Sequence, residues 1–472
     1  MVAVKGKKKV DFTEGPLFWR LLVFAFPIMV TSIIQILYST ADKIVVGQFS
    51  GDDLAIGAIG STTFISGLII NFMIGVGAGV GVLVAQLYGA KNKEETSRAV
   101  HSSFIMAFVL SSVLMLIGFI TAEPLLTLLN TKEELMSRAL LYINITYAGL
   151  IGVSCYNVGA SILRAVGDSK TPLYIGTASG IINVLLNLLF VIVFKMSIAG
   201  VALATIISQY FSAAAVIYVL SRKQGESYQF SFSRLKPNKS IILRVLRLGI
   251  PTGLQSCCFS ITNLYTSWAV NQFPTPYVAA RSIGLDIDHI VSAFSAAFLH
   301  SSLNATGQNY GAKNKKRVVR VLVYSLIQSI VVTFVVSWLL REFRYEVAAM
   351  FVEQGNKDFE AIVSAAAEWS GVMLTFYFTQ GALNAVSGSV RGMGYSVSAL
   401  LANLIGVCGT RLIWVFFIFP LEEFHSFTGL ALQYPASWAV TALLLSVLCA
   451  IAFAKLAKEK STEEPTEAKA EA

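Results

Sequence analysis

The sequence predicts an all-α polytopic membrane protein, with twelve transmembrane helices in two six-helix lobes related by a parallel pseudo-twofold repeat. Three observations predict this. Hydrophobic residues make up 55% of the 472 residues and charged residues only 13%, against about a quarter charged in soluble domains; the mean hydropathy is +0.67. Apolar runs of roughly 20 residues recur along the chain, each long enough to cross a hydrocarbon core of ~30 Å. Short motifs from the first half return in the same order in the second.

The first run, 20–46, is too long for a signal peptide and lacks a small-residue cleavage site; it closes on "QILYSTADKIVVGQF". The runs 55–85, 99–122, 137–161, 172–194 and 198–220 complete the first lobe. A polar connector follows, and the second lobe takes 243–271, 277–306, 318–340, 361–386, 397–419 and 428–454. The chain thus divides into a basic N-terminus (1–16), a first lobe (17–220), an inter-lobe linker (221–242), a second lobe (243–456) and an acidic, Ala-rich tail (457–472) that reads as disordered. The five cysteines all fall inside predicted helices without metal or redox spacing, and are expected to be reduced thiols.

The formal net charge of +9 is a topology signal. With the N-terminus in the cytoplasm, 27 of the 36 basic residues fall on the inner side and six on the outer. That asymmetry predicts a multi-pass protein of the cytoplasmic membrane with both termini inside. It also removes the case for a nucleic-acid partner; the expected partners are the bilayer and small molecules. Nothing here requires an oligomer, so a monomer suffices. No enzyme motif appears: there is no HExxH, no phosphate-cradling GxxxxGK[ST] and no nucleophile elbow. No cofactor is expected.

The repeat is collinear. "FPIMVTSIIQILYSTADKIVVGQF" (26–49) aligns with "IPTGLQSCCFSITNLYTSWAVNQF" (250–273). "YGAKNK" occurs verbatim at 88–93 and 310–315, "RAVG" (164–167) answers "RGMG" (391–394), and "GVALA" (200–204) answers "GLALQ" (429–433). The offsets are 224, 222, 227 and 229. Six helices return the chain to its starting side, so the repeats are parallel. Transporters built this way bind substrate between the halves and alternate access. The two YGAKNK turns are expected to be tight connections made through Gly89 and Gly311, and Arg164 and Arg391 to sit in equivalent short inner loops.

Thr31, Gln35, Tyr38 and Asp42 are spaced 4, 3 and 4, which puts them on one face of the first helix. Asp42 is an intramembrane acid, a functional-site hypothesis by default, and its repeat partner Thr266 cannot carry charge. The bland reading is a helix-end charge paired with a neighbour. Lys43 points about 100° away and is expected to reach the interface. Asn183 and Asn187 lie at i, i+4 in the fifth run, on one face.

On "YSTADKIVVG", "AQLYGAKNK", "ILRAVGDSKTP", "GLQSCCFSITN", "TGQNYGAKNKKR" and "VRGMGYS", over residues 15 to 456, the chain resembles the multidrug and toxic compound extrusion family. The resemblance implies an antiporter that exports organic, often cationic, compounds against inward H⁺ or Na⁺. It also implies a cation site in the first lobe, mapped to Asp42, Asn183 and Asn187; the polar face of the first helix adds Tyr38 and Gln35 as candidates. One carboxylate with amide oxygens suits Na⁺ or a proton relay. The alternative for the asparagines is interhelical hydrogen bonding.

In the second lobe, "RSIGLDIDHIVSAFSAAFLH" brings together Arg281, Asp286, Asp288 and His289, as a protonatable relay or an internally neutralised cluster. The family often carries an acid in the seventh helix, and this chain has none there. Glu368 and Arg411 lie at matched depth on consecutive helices, which predicts a salt bridge. A flippase for lipid-linked saccharides is the alternative function. It would favour a strongly cationic cavity, whereas Arg281 and Arg411 are each expected to have an acid nearby, Asp288 and Glu368.

Overall fold

The computed structural model describes residues 9–49, 54–353 and 355–458. The basic residues Lys5, Lys7 and Lys8, the acidic tail, and the side chain of Lys43 lie outside the described residues. Among the described residues every regular element is a helix. Only helices and closed barrels satisfy all backbone polar groups in lipid, so the composition leaves little choice.

The helices of the first half are α1 (Leu17–Phe49), α2 (Ala55–Gly89), α3 (Lys93–Leu128), α4 (Glu133–Ala148), α5 (Leu150–Ala165), α6 (Lys170–Leu188) and α7 (Ser197–Ser221). Those of the second are α8 (Lys239–Val270), α9 (Thr275–Gly311), α10 (Lys315–Glu342), α11 (Arg344–Ala349), α12 (Phe359–Thr375), α13 (Tyr377–Gly392), α14 (Ser396–Asn403), α15 (Thr410–Ile413), α16 (Phe427–Ala431) and α17 (Gln433–Lys458). Among the described residues nine helical stretches are long and apolar enough to cross a membrane, and the pairs α4–α5 and α12–α13, bent by 41° and 47°, bring the number to eleven. The twelfth predicted span is α8, whose 32 residues are diluted by Lys239, Arg244 and Arg247 near its start. Each predicted run therefore has its helix. Two helices contain wider, π-type turns: α6 runs into Leu189–Val193, while Leu404–Gly409 and Trp414–Ile418 flank α15.

The chain forms two compact units, residues 9–11 with Phe26–Cys257, and Phe12–Ala25 with the chain from Cys258. Their border does not follow the linker. The first turns of α1 count with the second unit, because Ser301 Oγ donates to Leu21 O at 3.1 Å and Gln328 Nε2 to Phe18 O at 2.7 Å. The border in α1 falls just before Pro27, which has no N–H to continue the ladder. The first half of α8 counts with the first unit. The linker is also well packed, with Tyr228 and Phe230 buried and the Ser231 N–H donating to His101 Nε2 at 3.0 Å.

The two YGAKNK turns are near-copies. Asn92 and Asn314 cap α3 and α10 by accepting from the Glu95 and Arg317 N–H groups at 3.1 Å. The expected role of Gly89 and Gly311 is corrected: each is the last residue of its helix, and the left-handed residue is the lysine, Lys91 or Lys313, at φ 55°. Arg164 and Arg391 are likewise not in loops. Both lie in the last turns of α5 and α13, and Arg391 is buried. All five cysteines are free.

A close seam of the second unit joins α9 and α13. Gly388 and Gly392, four apart, let α13 approach so closely that a Cβ would fall 2.5 Å from Leu299 O and 2.6 Å from Leu303 O. Small residues are how helices pack closely in lipid. Ser302 completes the seam, donating to Ala385 O and sharing a hydrogen bond with Ser389, both at 2.8 Å. Gly388→Ala is therefore expected to destabilise the protein by about 1–3 kcal/mol through overpacking. Gly60→Ala on α2, where nothing lies within 4 Å, is expected to gain from helix propensity instead. Thermal unfolding of the two variants in detergent checks the contrast.

Candidate functional site

In the first unit, α1, α6 and α7 bring together four of the five residues singled out there. Tyr38 and Asp42 are about one turn apart on α1, and Asn183 and Asn187 one turn apart on α6. Asn187 Nδ2 donates to Asp42 Oδ1 and, at 3.4 Å, to Asn183 Oδ1. Asn183 Nδ2 in turn reaches Thr205 Oγ1 of α7 at 3.4 Å. Tyr38 OH donates to Thr177 O of α6 at 2.9 Å. Asn183 and Asn187 are buried, whereas Asp42 is half-buried. Gln35 is exposed and stands outside the group. Thr31 is buried, but its hydroxyl turns back to Pro27 O at 2.7 Å.

Sequence reading missed Gly180. The Tyr38 ring occupies the space where a side chain there would stand: a Cβ would fall 1.6 Å from Tyr38 Cε2. The available signal was a glycine one turn before Asn183. Asn187 also keeps its Oδ1 buried with no hydrogen-bond partner. A buried acceptor without a donor is costly, and here it adjoins a carboxylate. Such a pair of oxygens can receive a proton-bearing group or a bare monovalent cation. Among the described residues no three His, Cys, Asp or Glu side chains gather as a divalent-metal site.

The second unit departs from expectation. Arg411 is buried on α15, and its guanidinium lies 4.2 Å from the Tyr434 ring centroid. Its Nε donates to Ser437 Oγ at 3.2 Å, and Nη1 to Asn263 Oδ1 at 3.5 Å. Glu368 is exposed on α12, lining a separate cavity of about 360 Å³ with Arg341, Arg344 and Gly371. The predicted Glu368–Arg411 salt bridge is therefore absent. Glu368 faces outward while Arg411 faces the interior. Arg281 is buried and donates through Nη2 to Asn263 O at 3.3 Å, with Nε left unpartnered. Asp288 instead accepts from Tyr377 OH at 2.8 Å. Asp286 is half-buried and His289 exposed. Among the described residues, neither buried arginine has an ion pair, so the expected neutralised cluster is not formed.

A family model named MatE matches residues 27–189 and 251–417, the two copies of the repeat. The chain belongs to this family. It is thus one of the MATE membrane transporters. Among curated relatives, the probable multidrug resistance protein YoeA of Bacillus subtilis is 26% identical over 91% of this chain and 93% of its own length. The probable multidrug resistance protein YpnP of the same organism is 30% identical over 66% of this chain and 69% of its own. A crystal structure of a MATE protein in complex with MaL6 superposes with a TM-score of 0.87 at 20% identity, covering 96% of this chain and 100% of that one. That similarity establishes the fold.

The separation of Glu368 from Arg411 has a measurable consequence. Glu368→Gln is expected to change stability by no more than ~0.5 kcal/mol, and its effect to add to that of Arg411→Met within about 0.5 kcal/mol. Unfolding of both single variants and the double variant measures the coupling; a larger interaction energy would place the two side chains in contact.

Proposed function

We propose that this MATE transporter is a secondary antiporter that exports organic compounds across the cytoplasmic membrane by alternating access, driven by inward H⁺ or Na⁺ taken up at Asp42. The single observation that carries this reading is the arrangement at α6: the Asp42 carboxylate held by Asn187 Nδ2, with the unpartnered Asn187 Oδ1 beside it. Asn183 and Thr205 form the next layer, steadying the Asn187 amide. A proton neutralises Asp42 directly. Na⁺ would draw on the carboxylate and the amide oxygens; one negative charge among neutral oxygens suits a monovalent ion, whereas divalent sites collect several carboxylates. Coupling then follows from charge. An acid inside a membrane protein is expensive when bare, so the empty site is disfavoured and its filling biases the carrier between states.

The names of the curated relatives favour the drug exporter over a lipid-linked saccharide flippase; charge no longer does, because Arg281 and Arg411 lack the ion pairs expected to balance them. The positive-inside distribution supports cytoplasmic termini.

Asp42→Asn is expected to insert and fold normally, to retain substrate binding and to lose gradient-driven export; Asp42→Glu should keep part of the activity. Proteoliposomes with pH and Na⁺ gradients imposed separately measure this and identify the ion. Export by the Asn variant at the wild-type rate would reduce Asp42 to a helix-end charge. For topology, single cysteines at Lys236 and at Gly355, in a background without native cysteines, should react only from the cytoplasm and only from outside, respectively.

A further inference from the structure

The collinear repeat allows the first-unit site to be compared with its own second copy. Between RAVG and GVALA the offset passes from 227 to 229. At 228 Asn183 falls on Arg411, and at 229 Thr205 and Ser208 fall on Tyr434 and Ser437. The contacts agree with this register: Asn183 reaches Thr205 in one copy, and Arg411 lies over Tyr434 and bonds Ser437 in the other. At the offset of 224 Asp42 falls on Thr266, which is buried and donates to Gln433 Oε1 at 3.1 Å. The Asp42 position is thus a threonine in the second copy and the Asn183 position a guanidinium, while Asn187, which holds Asp42, falls on Val415 at the same offset of 228. The polarity is reversed.

A second, independent arginine adds to the reversal. Arg281, 7% exposed, donates to the carbonyl of Asn263, the residue whose side chain receives Arg411. Two guanidiniums therefore converge on Asn263. Arg281 keeps a buried Nε without a partner, so donor capacity is left over. Asp288 is the acid within the electrostatic field of Arg411, but its carboxylate is already engaged by Tyr377. Among the described residues Asp286 makes no ion pair with either arginine, and His289 is exposed. Charges within membrane proteins are generally neutralised, and this cluster holds two cations against one acid.

We propose that Arg281, Arg411 and Asn263 form an oxyanion subsite in the second unit, which takes a carboxylate or phosphate group of the exported compound. A guanidinium suits such a group because its N–H donors form a fork that matches an oxyanion, with charge-assisted hydrogen bonds. The substrates are accordingly anionic or amphoteric organic compounds, in place of the cationic ones that the family resemblance implies. This deepens the exporter reading and rests on it.

The test is equilibrium binding to the purified full-length protein in nanodiscs, without any gradient. The probes share one ring system: naphthoate, naphthyl phosphate, naphthamide and naphthylmethylamine. At least one oxyanion probe is expected to bind tenfold or more tightly than the amide and the amine. Arg281→Gln and Arg411→Gln should each reduce that preference at least tenfold while leaving naphthamide unchanged, and Arg411→Lys should keep part of it. Because Arg281 has no ion pair, Arg281→Gln should leave the unfolding midpoint unchanged, a readout that separates binding from a structural role, whereas Arg411→Gln also loses the Tyr434, Ser437 and Asn263 contacts and is expected to lower it. Equal or tighter binding of the amine, uniform weakening of all probes by the Gln variants, or no oxyanion binding up to ~10 mM overturns the subsite. The relative strength of the two oxyanion probes tells carboxylate from phosphate. The antiport reading is tested apart: if gradients drive no export while the oxyanion preference persists, antiport fails and the subsite stands. If coupled export persists without the preference, only the subsite fails.

Discussion

In hydrocarbon no water is available to complete a hydrogen bond, so every polar atom must find its partner within the protein. Most of this structure follows from that constraint. The backbone closes on itself as helices. Hydroxyls such as those of Thr31, Ser111, Thr333 and Thr441 return to carbonyls of their own helices at 2.6–2.7 Å. Where helices meet, small residues let carbonyls and hydroxyls reach one another, as along α9 and α13. Against that background the exceptions carry information. Several buried side-chain atoms among the described residues lack a partner, and two of them belong to the sites described above: Asn187 Oδ1, beside the Asp42 carboxylate, and Arg281 Nε, within a guanidinium.

The duplicated architecture sharpens this reading. Two copies of one six-helix plan impose the same backbone needs at equivalent places, and where the need is purely structural the residues coincide. The YGAKNK turns show this, with the same asparagine cap and the same left-handed lysine. Where the copies are free to diverge, they diverge in charge. Asp42 faces an amide in the first copy; in the second its counterpart is Thr266 and a guanidinium occupies the position of Asn183. The exchange puts a cation where the first copy has a neutral amide. Ligands of opposite charge would call for it.

All twelve spans were legible in the sequence, because twenty apolar residues in succession have few other uses. So was the meeting of Asp42 with Asn187, since an acid and a paired amide stripe both need interior partners. Direction around a helix was much less legible. Depth follows from counting residues at 1.5 Å each, and by depth Glu368 and Arg411 should meet. But α12 turns Glu368 outward beside buried Trp369, the α12–α13 pair is bent by 47°, and π-type turns flank Arg411. A single extra residue in a turn shifts the following face, and no periodicity reports it. Gln35 shows the same limit: it shares a stripe with Tyr38 and Asp42, yet it is exposed while Thr31, one turn earlier, is buried. Gly180 was hidden because its role belongs to the Tyr38 ring, distant in sequence.

The signs of the two proposed ligands also set the energetics of transport. A carrier that brings one cation inward and sends a cationic compound of equal charge outward moves no net charge, so the membrane potential does nothing for it. An outgoing oxyanion changes this. One cation inward and one anion outward move two positive charges toward the cytoplasm in a full cycle. With the interior negative, each is worth about 2.3 kcal/mol per 100 mV. Together they supply roughly 4.6 kcal/mol before any ion gradient contributes, which corresponds to a concentration ratio of more than a thousandfold. A single acid in the first unit is then enough to drive substantial accumulation outside, and the missing acid of the seventh helix is no handicap. Reversed polarity in the second copy is therefore energetically coherent with the lone carboxylate in the first.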